Sequence, residues 1–521
     1  MRLSQKSIEF ARNHIHYFGD SDFFVIPFEF LALWQNWDEV GNYLLSQEIS
    51  KKGIERFRVK PPMTSVAHKP GGGYRVVHQL DPLDSLLYTA LAHEVAEAVE
   101  RCRPSVEHHI ACSYRISISQ KGNFLAQDTG WDNFTKRCEK LASDYSWVLI
   151  ADITDFYNQI YVHRLQNNIE QCGSALHDVS NAIEEFLLSL NMRISKGIPV
   201  GPGASIVMAE ASLIDVDEFI LERTANYTRY VDDIRVFSHD RLELETILHD
   251  LTQYLYSAHR LNLSSAKTKV IESKTFIESE LRNPEMTEKE AIQKALKDLN
   301  IDYDNGYPSY EPPTDIESLP SENRIKVVGT ALRDLLVEIA ARDVLDLGLA
   351  RHILRRAKQL RSRAIIIPLL ERFDYFAPVI RDLVLYLEKV TTKSMVEQLH
   401  EVFTKVLLES DAIKFPYVRY WMKDYFRRYP SFANYNKIRE FMYQEDGIRS
   451  RALLAAETKQ VSWVRSNRSL FSTIGPWDKR ALIYSAIALS HSERNRWMDS
   501  ILQSNSSDII DRSLAKFVKS R

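Results

Sequence analysis

Cysteine is scarce: the 521 residues hold four, Cys102, Cys112, Cys138 and Cys172, and none forms a Cys-x-x-Cys pair. That excludes a disulfide framework, and no stretch has the close Cys/His spacing of a zinc site. A reducing compartment, the cytoplasm, is the natural expectation. Long hydrophobic runs are missing as well. The longest, such as "AIIIPLL", fall far short of the roughly 20 apolar residues that span a bilayer. The opening "MRLSQKSIEFARNHIHYFGD" lacks the uninterrupted apolar core of a signal peptide. We therefore expect a soluble chain with no membrane partner. A strong net charge of one sign is absent too, but the formal −3 is unevenly spread: residues 321–521 carry +12, so the remainder is acidic. That excess suits a polyanionic partner for the C-terminal part. No repeat is crisp enough to assign a period.

What is present is ample core material, 45% hydrophobic and 11% aromatic. At this length it predicts more than one domain. Up to about residue 280, strand-like stretches ("YRVVHQL", "SWVLIADI", "TRYVDDIRVFS") alternate with helical ones ("LLYTALAHEVAEAVERC", "SNAIEEFLLSL", "RLELETILHDLTQYLYSAHR"), an α+β pattern. Between 303 and 324, "YDNGYPSYEPPTDIESLPSEN" concentrates Pro, Gly, Asn and Ser and reads as a linker. Beyond it, stretches such as "LGLARHILRRAKQL" and "SMVEQLHEVFTKVLLES" read as successive amphipathic helices, a bundle or a HEAT-like solenoid. The expected division is 1–300 with an N-terminal helical extension, a linker over 301–325, and an all-α domain over 326–521.

The chemistry gathers at "YTRYVDDIRVFSHD", residues 227–240, where Asp232 and Asp233 sit side by side between two strand-forming runs. The pattern predicts a tight hairpin with the acids at its tip. Like charges this close are tolerated when water or divalent metal neutralises them. In "SWVLIADITDFYNQI" an apolar strand ends on Asp152, a carboxylate that a shared metal would partner. Two such strands can hold two Mg²⁺ ions about 4 Å apart, the arrangement for nucleotidyl transfer.

These residues resemble the reverse transcriptase palm. "ADITDFYNQI" is similar to motif A, "YVDD" to motif C, "GIPVGPGAS" (197–205) to motif B and "LNLSSAKTKV" (261–270) to motif D, while "KPGGGYRVVHQLDPLD" and "ACSYRIS" resemble the fingers segments. The resemblance covers about residues 60 to 275. It implies Asp152, Asp232 and Asp233 as catalytic residues and, with Ile153, as the metal site for two Mg²⁺ ions, which Mn²⁺ can replace. It also implies Lys267 beside the leaving pyrophosphate, and Arg75, Arg115, Phe156, Tyr157, Gly201 and Ser205 around the incoming nucleotide. Forked guanidinium donors suit phosphate oxygens. Tyr157 or its neighbour Phe156 could stack below the sugar and exclude a 2′-hydroxyl, and Gly201 with Gly203 could admit close backbone approach or simply make a turn.

Two departures narrow the resemblance. Val200 stands where templated enzymes carry the motif-B glutamine, and the chain after residue 280 does not look like a compact thumb. With "HYFGDSDFFVIPFEF" near the N-terminus, the chain is most similar to the abortive-infection (Abi) reverse transcriptases of bacterial phage defence. That likeness implies palm and fingers fused to an α-helical, HEAT-like domain and a homo-oligomer, a trimer or hexamer. It also implies template-independent joining of dNTPs, primed by a hydroxyl of the protein, so that single-stranded DNA stays covalently attached. Tyr17 and Tyr43 are the candidate primers. The alternative is a templated enzyme of retron or group II intron type. In the C-terminal part, the basic "RHILRRAKQLRSR" and the aromatic "YVRYWMKDYFRRY" could hold single-stranded product or be ordinary helix faces.

Overall fold

The computed structural model describes residues 1–47, 59–69, 72–126, 130–281, 322–444 and 446–521. The expected linker therefore lies outside the described residues, apart from 322–325, which open the helix Glu322–Ala340. Two units emerge. One holds Met1–Asp22, Asn42–Thr64 and Val77–Pro312; the other holds Phe23–Gly41, Ser65–Val76 and Pro313–Arg521. The expected division kept residues 1–300 in one domain, whereas here Phe23–Gly41 and Ser65–Val76 group with the C-terminal helices.

The first unit starts with α1 (Gln5–Phe18), whose N-terminus is capped by the Ser4 side chain accepting from the Ser7 amide. In the other unit, α2 (Glu29–Gln35) packs on the last helix, Ile509–Lys519. After α3 (Trp37–Ser46), β1 (Met63–His68) and β2 (Tyr74–Gln79) form a two-stranded ladder. The long α4 (Pro82–Cys102) begins with proline at its first turn behind an Asp81 cap, and α1 lies against it.

A four-stranded sheet carries the site. Its order is β4 (Tyr227–Tyr230), β5 (Asp233–Ser238), β3 (Trp147–Asp152) and β6 (Lys269–Glu272), with every neighbouring pair antiparallel. α5 (Gly130–Asp144) covers one face, where Phe134, Cys138 and Leu141 meet Val148, Ile150 and Phe237. β3 is hydrophobic over its four central residues because both faces are buried. A helical layer completes the unit: α6 (Phe156–Gln159), α7 (Val162–Gln171), α8 (His177–Leu190), α9 (Ala204–Ala211), α10 (Ile214–Leu221) and α11 (Arg241–Tyr254).

In the second unit the helices pack next-but-one along the chain. Leu347–Gln359 lies on Ile380–Val390, then Pro416–Arg428, Ile448–Glu457, Pro476–Ser485 and Ile509–Lys519 follow in one row. Glu322–Ala340, Ile366–Glu371, Val396–Glu409 and Asn436–Tyr443 make another. Two rows in alternation are what amphipathic helices joined by short turns produce when each buries one apolar stripe. Among the described residues no helix is long and apolar enough to cross a membrane.

Candidate active site

The hairpin expected from "YVDD" forms. Tyr230 pairs with Asp233, leaving Val231 and Asp232 as a two-residue turn. Val231 takes φ +55°, a left-handed conformation that costs a β-branched residue on the order of 1–2 kcal/mol. The next pairing brings the catalytic candidates together. Asp152, the last residue of β3, stands opposite Asp233, the first of β5, and the Ile153 amide donates to the Asp232 carbonyl at 3.4 Å. Two strands thus deliver three carboxylates to one end of the sheet, as their positions at strand ends imply.

The cluster is only partly neutralised. Lys267 Nζ donates to Asp152 Oδ1 at 2.9 Å, and Arg235 pairs with Asp233, its Nη2 at 3.1 Å from Oδ2. Burial, then the Asp152 and Asp233 charges, push the Asp232 carboxyl up to about 6. Burial raises Asp233 as well, against the pull of Arg235. Lys267 is raised too, but by its hydrogen bond to Asp152, which keeps its exposed ammonium charged. Three hard oxygen donors with excess negative charge fit a divalent cation such as Mg²⁺ or Mn²⁺. Even so, among the described residues no three ligating side chains are gathered at metal-binding spacing.

The other expected residues divide. Phe156 is buried, whereas Tyr157 is half-buried and meets it edge-on at 5.8 Å. The Tyr157 carbonyl accepts from the Ile198 amide at 2.9 Å, which ties the motif-B segment to α6. Gly201 needs its glycine: at φ +128° its carbonyl accepts from the Asp22 amide at 3.0 Å. Gly203 has an ordinary helical φ of −60°. Val200 is buried, with its amide bonded to His78 Nδ1 at 3.1 Å and its carbonyl to the His78 amide at 2.8 Å.

Two expected nucleotide contacts are spent elsewhere. Ser205 is fully buried, its hydroxyl 3.1 Å from that of Tyr88. Arg115 donates to the Pro104 and Ala111 carbonyls at 3.0 Å each and lies 2.6 Å from Glu100. A guanidinium so committed is a structural strut in this arrangement. Arg75 lies on β2 within the residues of the second unit. Tyr17 is 54% exposed near the end of α1, packed edge-on against His16, and Tyr43 is half-buried on α3.

The residues that sequence reasoning missed lie directly beneath the turn. Ser113 Oγ donates to Glu210 at 2.5 Å and accepts from the Val231 amide at 2.9 Å. Arg229 Nη1 donates to the Val231 carbonyl at 3.2 Å and to Glu210 at 2.9 Å, while its Nε and Nη2 grip Asp217 at 2.6 and 2.8 Å. Arg103 adds a second cation to Glu210 at 2.9 Å. All four charged side chains are buried. Both backbone groups of the strained residue are therefore held by a buried, charge-matched network, which is how a left-handed valine persists. The available signal was the arginine two residues before Val231, between residues that favour a buried strand.

Residues 67–303 match the family model described as reverse transcriptase (RNA-dependent DNA polymerase). The chain thus carries a reverse transcriptase domain and is a nucleotidyltransferase of that class. No curated protein matches it. Similar solved structures include telomerase from Candida albicans in complex with a TWJ fragment of telomeric RNA, at 10% identity over 76% of this chain and 71% of that one, with a TM-score of 0.30. Apo telomerase from Candida tropicalis matches at 10% identity over 86% and 74%, also with a TM-score of 0.30.

Proposed function

We propose that this reverse transcriptase domain makes DNA without a template, starting from a tyrosine hydroxyl of the chain itself, as an abortive-infection polymerase of phage defence. The observation that carries the catalytic part is the placement of Asp152 opposite Asp233, with the Asp232 carboxyl raised beside them. Asp152, Asp232 and Asp233, with Ile153, would hold two Mg²⁺ ions, which when bound activate an attacking hydroxyl and steady a leaving pyrophosphate. Lys267 reaches this cluster from an exposed position, and its raised pKa favours a charge that stabilises the leaving group over a proton donor. Tyr157, half-buried beside the turn after β3, is better placed than the buried Phe156 to meet the sugar of a dNTP.

Template independence draws support from Val200. An apolar side chain whose backbone is fixed on both sides by His78 offers no polar group to a templating pair. Of the two candidate primers, Tyr17 presents the more exposed ring.

The test uses the full chain with Mg²⁺ and dNTPs and no added template or primer, run on a denaturing protein gel with and without nuclease. The expected result is an upward, nuclease-sensitive smear that Asp232→Ala abolishes and that Tyr17→Phe removes while Tyr43→Phe leaves it. Incorporation that demands an added primer-template would instead assign a copying enzyme of retron or group II intron type.

A further inference from the structure

The C-terminal unit contains an arginine-lined cleft that the polymerase chemistry does not use. It encloses about 620 Å³ between the stretch from Arg465 to Arg468 and the helix His491–Gln503, and is lined by Arg465, Arg468, Glu493, Arg496, Trp497 and Ser500. The spacing 493, 496, 497 and 500 puts those four residues on one helix face. Arg465 clasps the only acid, its Nε 3.1 Å from each carboxylate oxygen of Glu493 and its Nη2 at 2.8 Å. That fork fixes the cross-strut of the cleft.

Arg468 and Arg496 are left over. Among the described residues neither has a carboxylate within ion-pair distance, and both are exposed. Among the described residues the Arg496 Nε touches only the Ser492 carbonyl of its own helix, at 3.4 Å. All three guanidiniums pull on Glu493. With three cations and one anion the lining carries +2, in a region whose residues 321–521 already sum to +12. Trp497, almost wholly buried, makes an apolar floor. Unpaired forked donors above such a floor in an open cleft match the backbone of a flexible polyanion.

We propose that this cleft binds phosphodiester groups of single-stranded DNA, with Arg468 and Arg496 as the donors and the Arg465–Glu493 pair as the strut that spaces them. The choice of DNA strand rests on the polymerase reading above. Binding itself is measured without synthesis, so failure of one leaves the other standing.

The experiment uses the full chain carrying Asp232→Ala, so that nothing is polymerised, and follows the fluorescence anisotropy of a labelled oligothymidylate of about 20 nucleotides across a salt series. Arg468→Ala with Arg496→Ala should weaken binding about tenfold and flatten the log–log salt dependence by about 1.4, two phosphate contacts at roughly 0.7 each. Arg468→Lys with Arg496→Lys, keeping charge but losing the forks, should restore most of the salt slope and part of the affinity. Lys136→Ala with Lys140→Ala removes two charges from a basic cleft in the other unit, lined also by His108, His109 and Arg137, and should change binding less than about twofold. An equal loss in that control overturns the proposal, as does an unaltered salt slope in the alanine pair. Free dTMP or inorganic phosphate competing as well as the oligonucleotide also overturns it, in favour of a mononucleotide or phosphate site. An unchanged thermal melting curve for each variant ties any loss to the side chains removed.

Discussion

Arg229 and Asp232 stand three residues apart on one hairpin, yet the fold treats their charges in opposite ways. Burial alone would lower the Arg229 pKa, but Asp217 and Glu210 outweigh it and hold the guanidinium charged. Glu210 is likewise pulled down, against burial, by Arg103 and Arg229. Each of the four charged side chains there, Arg103, Arg229, Glu210 and Asp217, meets a partner of opposite sign. On the far side of the turn Asp232 has burial and two like charges against it, and its pKa rises to about 6. The structural charges are closed off and the chemical ones are left open. An unbalanced carboxylate is costly, and it survives where something else completes it, the part that the proposed metal ions would play. The paired network next to it keeps the unbalanced turn in place.

The largest effect should come from unbalancing the balanced side. Arg229→Met leaves Asp217 buried without its cation and Glu210 with Arg103 alone, and breaking such a buried pair costs about 3–5 kcal/mol. Urea denaturation of the full chain would measure it. Pairing the change with Asp217→Leu should recover most of that stability, because an apolar pair of similar bulk replaces a buried ion pair well. Activity should not return, since the Val231 carbonyl has lost its donor. If rate and stability recover together, the network is packing alone and has no hold on the turn.

The next effect runs the other way, through Asp232. A carboxyl raised from its ordinary 3.8 to about 6 binds its proton more tightly folded than unfolded. Stability therefore falls as pH rises from about 4 to about 6 and stays lowered above that. In metal-free protein at pH 8, Asp232→Asn should be more stable than wild type by about 1–3 kcal/mol, with the gap closing toward pH 4. Adding Mg²⁺ should raise the melting temperature of wild type more than that of the variant. A variant less stable than wild type at pH 8 would mean that the carboxylate is already compensated.

The sequence made one of these clusters legible and hid the other. Two adjacent acids between β-forming runs, and an apolar strand ending in Asp152, announce themselves because they violate the local pattern. Arg229, Glu210 and Asp217 do not: in "AEASLIDVDEF" the acids sit at spacings that an exposed helix face would also show. Hydrophobic periodicity says which face of an element is apolar, not which charge on one element meets which on another. The same limit explains Arg115, whose partner Glu100 is on α4, and Ser205, whose hydroxyl turns into the core toward Tyr88. It also explains α2, whose Glu29 accepts both Nη groups of Arg449 at 2.6 and 2.9 Å, 420 residues away.

The smallest effect isolates the turn itself. Val231 pays for φ +55° with strain, and glycine would remove it. Glycine also frees the unfolded chain, which costs roughly 0.5–1 kcal/mol, and it deletes a half-buried side chain. The terms nearly cancel, so Val231→Gly should move stability by less than about 1 kcal/mol. Its rate is the informative quantity. With Ser113 and Arg229 still bonded to the amide and carbonyl of residue 231, the turn should keep its shape and the variant should retain activity within a few-fold. A loss as severe as that of Asp232→Ala would show that the valine side chain, and not the buried network beneath it, holds the two carboxylates in register.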